Sequence, residues 1–141
     1  MTISLRSGTL VAGFALAFGV ATATPALAAS TPFSDCVPDW CSLSHTDGTI
    51  TWFNRTANVQ GTVTDIGAGT TQAIFKAFAG TTQIGPTQTR TADDESSNPD
   101  VHSPRSINFT MGDTNLVGGI NKITVQVCSN GRCSVPTSYF K

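Results

Sequence analysis

The sequence is short of the residues from which active sites are usually assembled. It has two histidines in 141 residues, His45 in LSHTDG and His102 in PDVHSP. Both stretches are polar and read as solvated loops. A nucleophile–base–acid set needs a histidine or an equivalent base. No G-x-S-x-G, H-E-x-x-H or P-loop pattern occurs. The expectation is a protein that is not an enzyme and uses no cofactor. Cations are also scarce, with eight Lys and Arg against nine Asp and Glu. No basic patch points to nucleic acid or anionic lipid. No apolar run reaches the roughly 20 residues that span a bilayer.

The nearest thing to such a run is the leader, MTISLRSGTLVAGFALAFGVATATPALAAS. One cation, Arg6, precedes an apolar stretch from Leu10 to Val20. Gly, Thr and Pro25 break that stretch, and no basic stop-transfer cluster follows. Ala26-Leu27-Ala28 fits the small-x-small rule of a signal peptidase. Residues 1–28 therefore read as a signal peptide, cut after Ala28 or alternatively after Ala29. The expected protein is secreted, with no membrane attachment after cleavage. All four cysteines, Cys36, Cys41, Cys128 and Cys133, lie beyond the leader. An even number in an oxidising compartment reads as two disulfides. Zinc is the rival, but both spacings are C-x4-C where zinc sites more often use C-x2-C, so no metal is expected there.

Helical periodicity is absent beyond the leader, and period-two alternation takes its place. Ile107, Phe109 and Met111 share one face of SINFTM. Ile123, Val125 and Val127 share one face of KITVQVC, Ile50 and Trp52 one face of TITWF, and Val59, Gly61 and Val63 one face of NVQGTVTD. TQAIFKAFAG is apolar on both faces except at Lys76 and predicts a central strand. TTQIGPTQTR contains Pro86 and CSVPTSYF contains Pro136; a proline removes a ladder donor, so both predict edges. The sum is about seven strands separated by turn residues, which predicts an all-β antiparallel β-sandwich. Residues 48–141 would form it, and residues 29–47 an N-terminal segment with a Cys36–Cys41 loop. TADDESSNPDVHSP, from Thr91 to Pro104, reads as an acidic loop.

CSNGRC carries Asn-Gly, the preferred centre of a two-residue type I′ hairpin, where both residues need positive φ. With Asn130 and Gly131 there, Ser129 faces Arg132 and Cys128 faces Cys133 at a non-hydrogen-bonded pair. Such a pair brings the α-carbons to about 4.5 Å, within reach of a disulfide. CVPDWC has the same spacing and suits a tight turn with Pro38 in second position. The expected bridges are Cys36–Cys41 and Cys128–Cys133, although four cysteines allow three pairings. CSNGRC then reads first as a stapled turn; the alternative is a displayed Asn-Gly-Arg recognition loop.

VQGTVTDIGAG, AIFKAFAGTTQIG and LVGGINKITVQVCSNGRCS together resemble the bacterial immunoglobulin-like repeat domain. That family carries V-x-G-x-V-T-D on strand B, here Val59, Gly61, Val63, Thr64 and Asp65. It carries G-x-N-x-I-x-V-x-V into strand F, here Gly119, Asn121, Ile123, Val125 and Val127. The resemblance spans Val59 to Ser134 and implies a fold and a generic binding or spacer role, with no catalytic residues. Two departures are the stapled hairpin, where the family ends strand F with an Asp and a Gly-Asn turn, and the acidic loop. The whole chain also resembles small secreted actinobacterial proteins of unassigned function. A fainter similarity is to the carrier proteins of enediyne antibiotics, which are disulfide-bonded sandwiches of like size but do not share these strand motifs.

Immunoglobulin-like topology would gather CVPDWC, the turn in DIGAGTTQ, the acidic loop and CSNGRC at one pole. The candidate binding surface there is Asp39, Trp40, Asn130, Arg132, Asp93, Asp94 and Glu95. Calcium on Asp93, Asp94, Glu95 and Asp100 is the weaker reading of those acids, because EF-hand spacing is absent. The expected function is a non-enzymatic binding module for a protein or glycan at the cell surface or in the medium. Its alternatives are an inhibitor of an extracellular hydrolase, with Arg132 as probe, and a small-molecule carrier of the enediyne-apoprotein type.

Overall fold

A computed structural model describes residues 28–66, 69–93 and 104–141. The expected signal peptide up to residue 27, together with Asp94, Glu95, Asp100 and His102, lies outside those residues. Among the described residues nine strands run in order: β1 (Ala29–Cys36), β2 (Ser44–Trp52), β3 (Thr56–Asp65), β4 (Thr70–Ala79), β5 (Thr82–Asp93), β6 (Arg105–Gly112), β7 (Lys122–Ser129), β8 (Arg132–Cys133) and β9 (Thr137–Phe140). One sheet has the order β1-β2-β3-β6. The other has β5-β4-β7, with β8 and β9 both on the far edge of β7. All pairs are antiparallel, and the two sheets pack face to face as an immunoglobulin-like sandwich.

The alternating positions turn inward as their period requires. Ile50, Trp52, Val59, Val63, Ile107, Ile123, Val125 and Val127 are all buried. β4 is interior to its sheet, with Ala73, Phe75 and Ala77 in the core. β5 is an edge, and its ladder to β4 breaks between Phe75 and Ala77, opposite Gly85 and Pro86. The last strand is also an edge, split into β8 and β9 around Pro136, which cannot donate to β7.

Two differences from the sequence reading concern the first strand and the strand count. Residues 29–47 are part of the sandwich rather than a segment ahead of it, because β1 pairs along its whole length with β2, from Ala29↔Trp52 to Cys36↔His45. Among the described residues the count is nine rather than about seven, for this reason and because the last strand is divided. Alternation failed to reveal β1 because Phe33 is its one fully buried residue and Pro32 interrupts it, as an edge strand tolerates.

Phe33 nevertheless organises the centre of the core. It pairs with Gly48, which pairs with Gly61 on the next strand. A Cβ on Gly48 would come within 2.6 Å of the Gly61 Cα and 2.8 Å of the Phe33 ring. Two small residues thus make room for one large one. The ring packs edge-on against Phe75 at 5.7 Å, and Phe75 packs likewise against Phe109 at 5.3 Å. At the sandwich's open side, the Tyr139 hydroxyl accepts from the Ser34 amide at 3.1 Å and donates to the Ser34 carbonyl at 2.9 Å. This clips β9 to the edge strand β1.

Candidate functional site

Both cysteine pairs close as disulfides, Cys36–Cys41 and Cys128–Cys133. In the second loop Asn130 has φ 48° and Gly131 φ 77°, so both central residues are left-handed, as a type I′ turn requires. The register is Ser129↔Arg132 and Cys128↔Cys133, with the bridged α-carbons 4.0 Å apart. The sulfurs sit on the outer face of the sheet, because Val127 and Ser129 on either side of Cys128 point inward.

The first loop is built differently. The Trp40 amide donates to the Val37 carbonyl at 2.9 Å, with Pro38 in second position and Asp39 at φ 68° in third. Positive φ at the third position makes this a type II turn, where glycine is the usual occupant. A second turn follows, in which the Leu43 and Ser44 amides both donate to the Trp40 carbonyl at 2.8 Å. Val37 itself is wholly buried and anchors the loop from beneath.

These loops meet. The Arg132 guanidinium lies 5.2 Å from the centre of the Trp40 ring. The turn between β3 and β4 joins them: the Ile66 amide donates to the Leu43 carbonyl at 2.9 Å, and a Cβ on Gly69 would strike the Asn130 side-chain oxygen at 2.2 Å. Below, a hydrogen-bonded chain ties the sheets together. The Ser134 hydroxyl accepts from the Val127 amide and donates to Asp35 Oδ2, both at 2.9 Å, while Asp35 Oδ1 accepts from the Cys36 amide at 2.8 Å. Burial raises the Asp35 carboxyl above its ordinary 3.8, and these two hydrogen bonds to the carboxylate pull it partway back. Ser44, Thr46, Asp65, Thr71 and Ser129 form a buried polar layer at this end of the core. Within it, the Thr71 hydroxyl donates to Asp65 Oδ1 at 2.8 Å.

The structure therefore brings Trp40, Asn130 and Arg132 together over two disulfides, with Asp39 exposed on the same turn. Asp93 ends β5 at this pole, exposed and opposite Thr70. Asp94 and Glu95 fall outside the described residues. His45, expected in a loop, is a β2 residue opposite Cys36 and Thr64. Among the described residues, no three His, Cys, Asp or Glu gather as metal ligands.

A second feature escaped sequence reading. The outer face of β4 and β7 carries a groove of about 160 Å³, lined by Ile74, Lys76, Phe78, Thr124, Gln126 and Pro136. Its one sequence signal is that TQAIFKAFAG is apolar on both faces, although only one of them is needed for the core. In comparison with known proteins, no family model matches this chain, and no curated protein or solved structure does either.

Proposed function

We propose that the chain is a small exported binding module, not an enzyme, that offers its stapled pole to a protein or glycan at the cell surface or in the medium. The observation that carries this reading is the Arg132 guanidinium resting on Trp40 between two disulfide-closed turns. Trp and Arg are the residues on which interface energy concentrates. Arg is rotamer-rich when free, and ordering such a side chain costs about 0.5–1.5 kcal/mol on association. Here both are held before any partner arrives. Two disulfides accord with an oxidising destination, as the leader does.

The hydrolase-inhibitor reading needs Arg132 extended into a specificity pocket. Its guanidinium lies instead against the protein's own indole, which favours a flat contact surface. The test is capture from the native culture medium and from whole cells, alongside a glycan array. The parent domain should retain a partner that Trp40→Ala and Arg132→Ala both lose, with thermal melts unchanged. Equal capture by all three proteins would overturn the pole as the binding surface.

A further inference from the structure

We propose a second site, separate from the pole: the groove on the outer face of β4 and β7 binds a small planar carboxylate, one aromatic ring bearing a single acid group. Ile74, Lys76 and Phe78 alternate along β4 with the buried Ala73, Phe75 and Ala77, so they stand outward from an interior strand. Together with Thr124, Gln126 and Pro136 they bound about 160 Å³. A cavity of roughly 150 Å³ accepts one benzene ring, so the groove is of single-ring size. Ile74, Phe78 and Pro136 supply the apolar walls.

The charge of this face selects an acid. Lys76 is half-buried and has no hydrogen-bond, ion-pair or ring partner among the described residues. Lys122 stands over the Phe78 ring at 4.4 Å. The strands that carry the face, β4, β7, β8 and β9, contain no Asp or Glu. The nearest acid of this sheet among the described residues is Asp93, at the pole end opposite Thr70. A half-buried ammonium without a counter-charge is one that an anion would stabilise. Lys76 also lies where the β5 ladder breaks, between the pairs Phe75↔Gln88 and Ala77↔Ile84. Such irregularities re-aim side chains beside sites. A second copy of the chain is a poor occupant, because a two-fold contact across this face would set lysines against lysines.

Titration of the purified protein with sodium benzoate, followed by amide NMR, tests this. Benzoate should shift the amides of Ile74–Phe78 and Thr124–Gln126 saturably. Benzyl alcohol, which keeps the ring, and acetate, which keeps the acid, should each bind at least about tenfold more weakly. Lys76→Met, which keeps an apolar stem, should weaken benzoate at least about tenfold, and Trp40→Ala should leave it unchanged. The proposal is overturned by absence of saturable shifts up to about 10 mM benzoate, by equal binding of benzyl alcohol, by shifts centred on the pole, or by parental affinity in Lys76→Met. It is equally overturned if an acidic peptide occupies this face and benzoate does not. Because Trp40→Ala is the control here and the test at the pole, the two readings fail separately.

Discussion

CVPDWC and CSNGRC have the same spacing, the same disulfide closure and the same pole, yet they are held by different means. The hairpin lies inside one ladder, where β7 and β8 already place Cys128 opposite Cys133. Its bridge joins two residues that strand pairing has brought together. The first loop joins an edge strand to its neighbour, and Cys41 has no ladder partner at all. What fixes it is the buried Val37 and a turn forced through Asp39 at φ 68°. Equal spacing in sequence therefore conceals unequal dependence on the covalent bond.

The largest test of that contrast lies in the strand that delivers the first loop. Phe33→Ala should cost about 3–5 kcal/mol, as for a buried aromatic whose space cannot collapse. Gly48 and Gly61 leave nothing to fill the hole. Urea unfolding measures it, and a loss below about 1 kcal/mol would demote β1 to an accessory strand. Next come the bridges themselves. Both span a sequence separation of 5, so the chain-entropy account gives each about 2 kcal/mol. Cys36→Ser with Cys41→Ser should approach or exceed that figure. Cys128→Ser with Cys133→Ser should fall short of it, because Asn-Gly preforms the turn. Equal losses would remove the asymmetry.

The two left-handed turns should respond with opposite sign. Gly131→Val forces a β-branched residue to φ 77° and should cost at least about 1–2 kcal/mol. Asp39→Gly relieves a side chain at φ 68° and should gain up to about 1 kcal/mol. Matched thermal melts read both. A destabilised Asp39→Gly would mean that the carboxylate contributes something its backbone angle does not reveal.

How much of this was legible beforehand followed from the range of the forces involved. Asn-Gly acts locally and specified its turn, register and bridge. Alternation identified β2, β3, β6 and β7, apolarity on both faces identified β4, and Pro86 and Pro136 marked the edges. β1 was missed because its single buried side chain, Phe33, leaves no period to read, whereas β5, with Ala92 alone buried, was marked by Gly85 and Pro86. The gathering of CVPDWC, the β3–β4 turn and CSNGRC at one pole followed from topology, but the stacking of Arg132 on Trp40 depends on where Val37 seats its loop. The groove around Lys76 was invisible for a similar reason, since the lack of a counter-charge is a property of neighbouring strands.

A smaller effect separates the base of the pole from its tip. Folded Asp35 keeps its proton to higher pH than the unfolded chain, because burial raises its carboxyl above 3.8. The unfolded state therefore ionises first, and this group's contribution to stability falls as pH climbs from that value to the raised one, then stays level. Asp35 is only half-buried, so the slope should be shallow. Urea unfolding from about pH 3 to pH 6 should show it in the parent, and subtracting the Asp35→Asn profile isolates it from other carboxylates. A parent-minus-variant difference that rises with pH would reverse the assignment.

The smallest effect on stability carries the most weight for function. Arg132 is exposed, and among the described residues its guanidinium rests on the face of Trp40. An exposed cation–π pair contributes about 0.5–1 kcal/mol, so Arg132→Ala should barely move the melt. If the hairpin is only a stapled turn, capture of the partner should be equally indifferent, and the only costly change in the loop is Gly131→Val. If the stacked pair is the recognition surface, the order inverts. Arg132→Ala then loses the partner at an unchanged melting temperature, whereas Gly131→Val lowers the melting temperature first. Arg132→Lys sharpens the distinction, because it keeps the charge but not the planar guanidinium that lies on the indole. Retention by the lysine variant would make the pole a charge and nothing more. Loss in both variants would mean that the partner reads the plane of the Trp40–Arg132 pair.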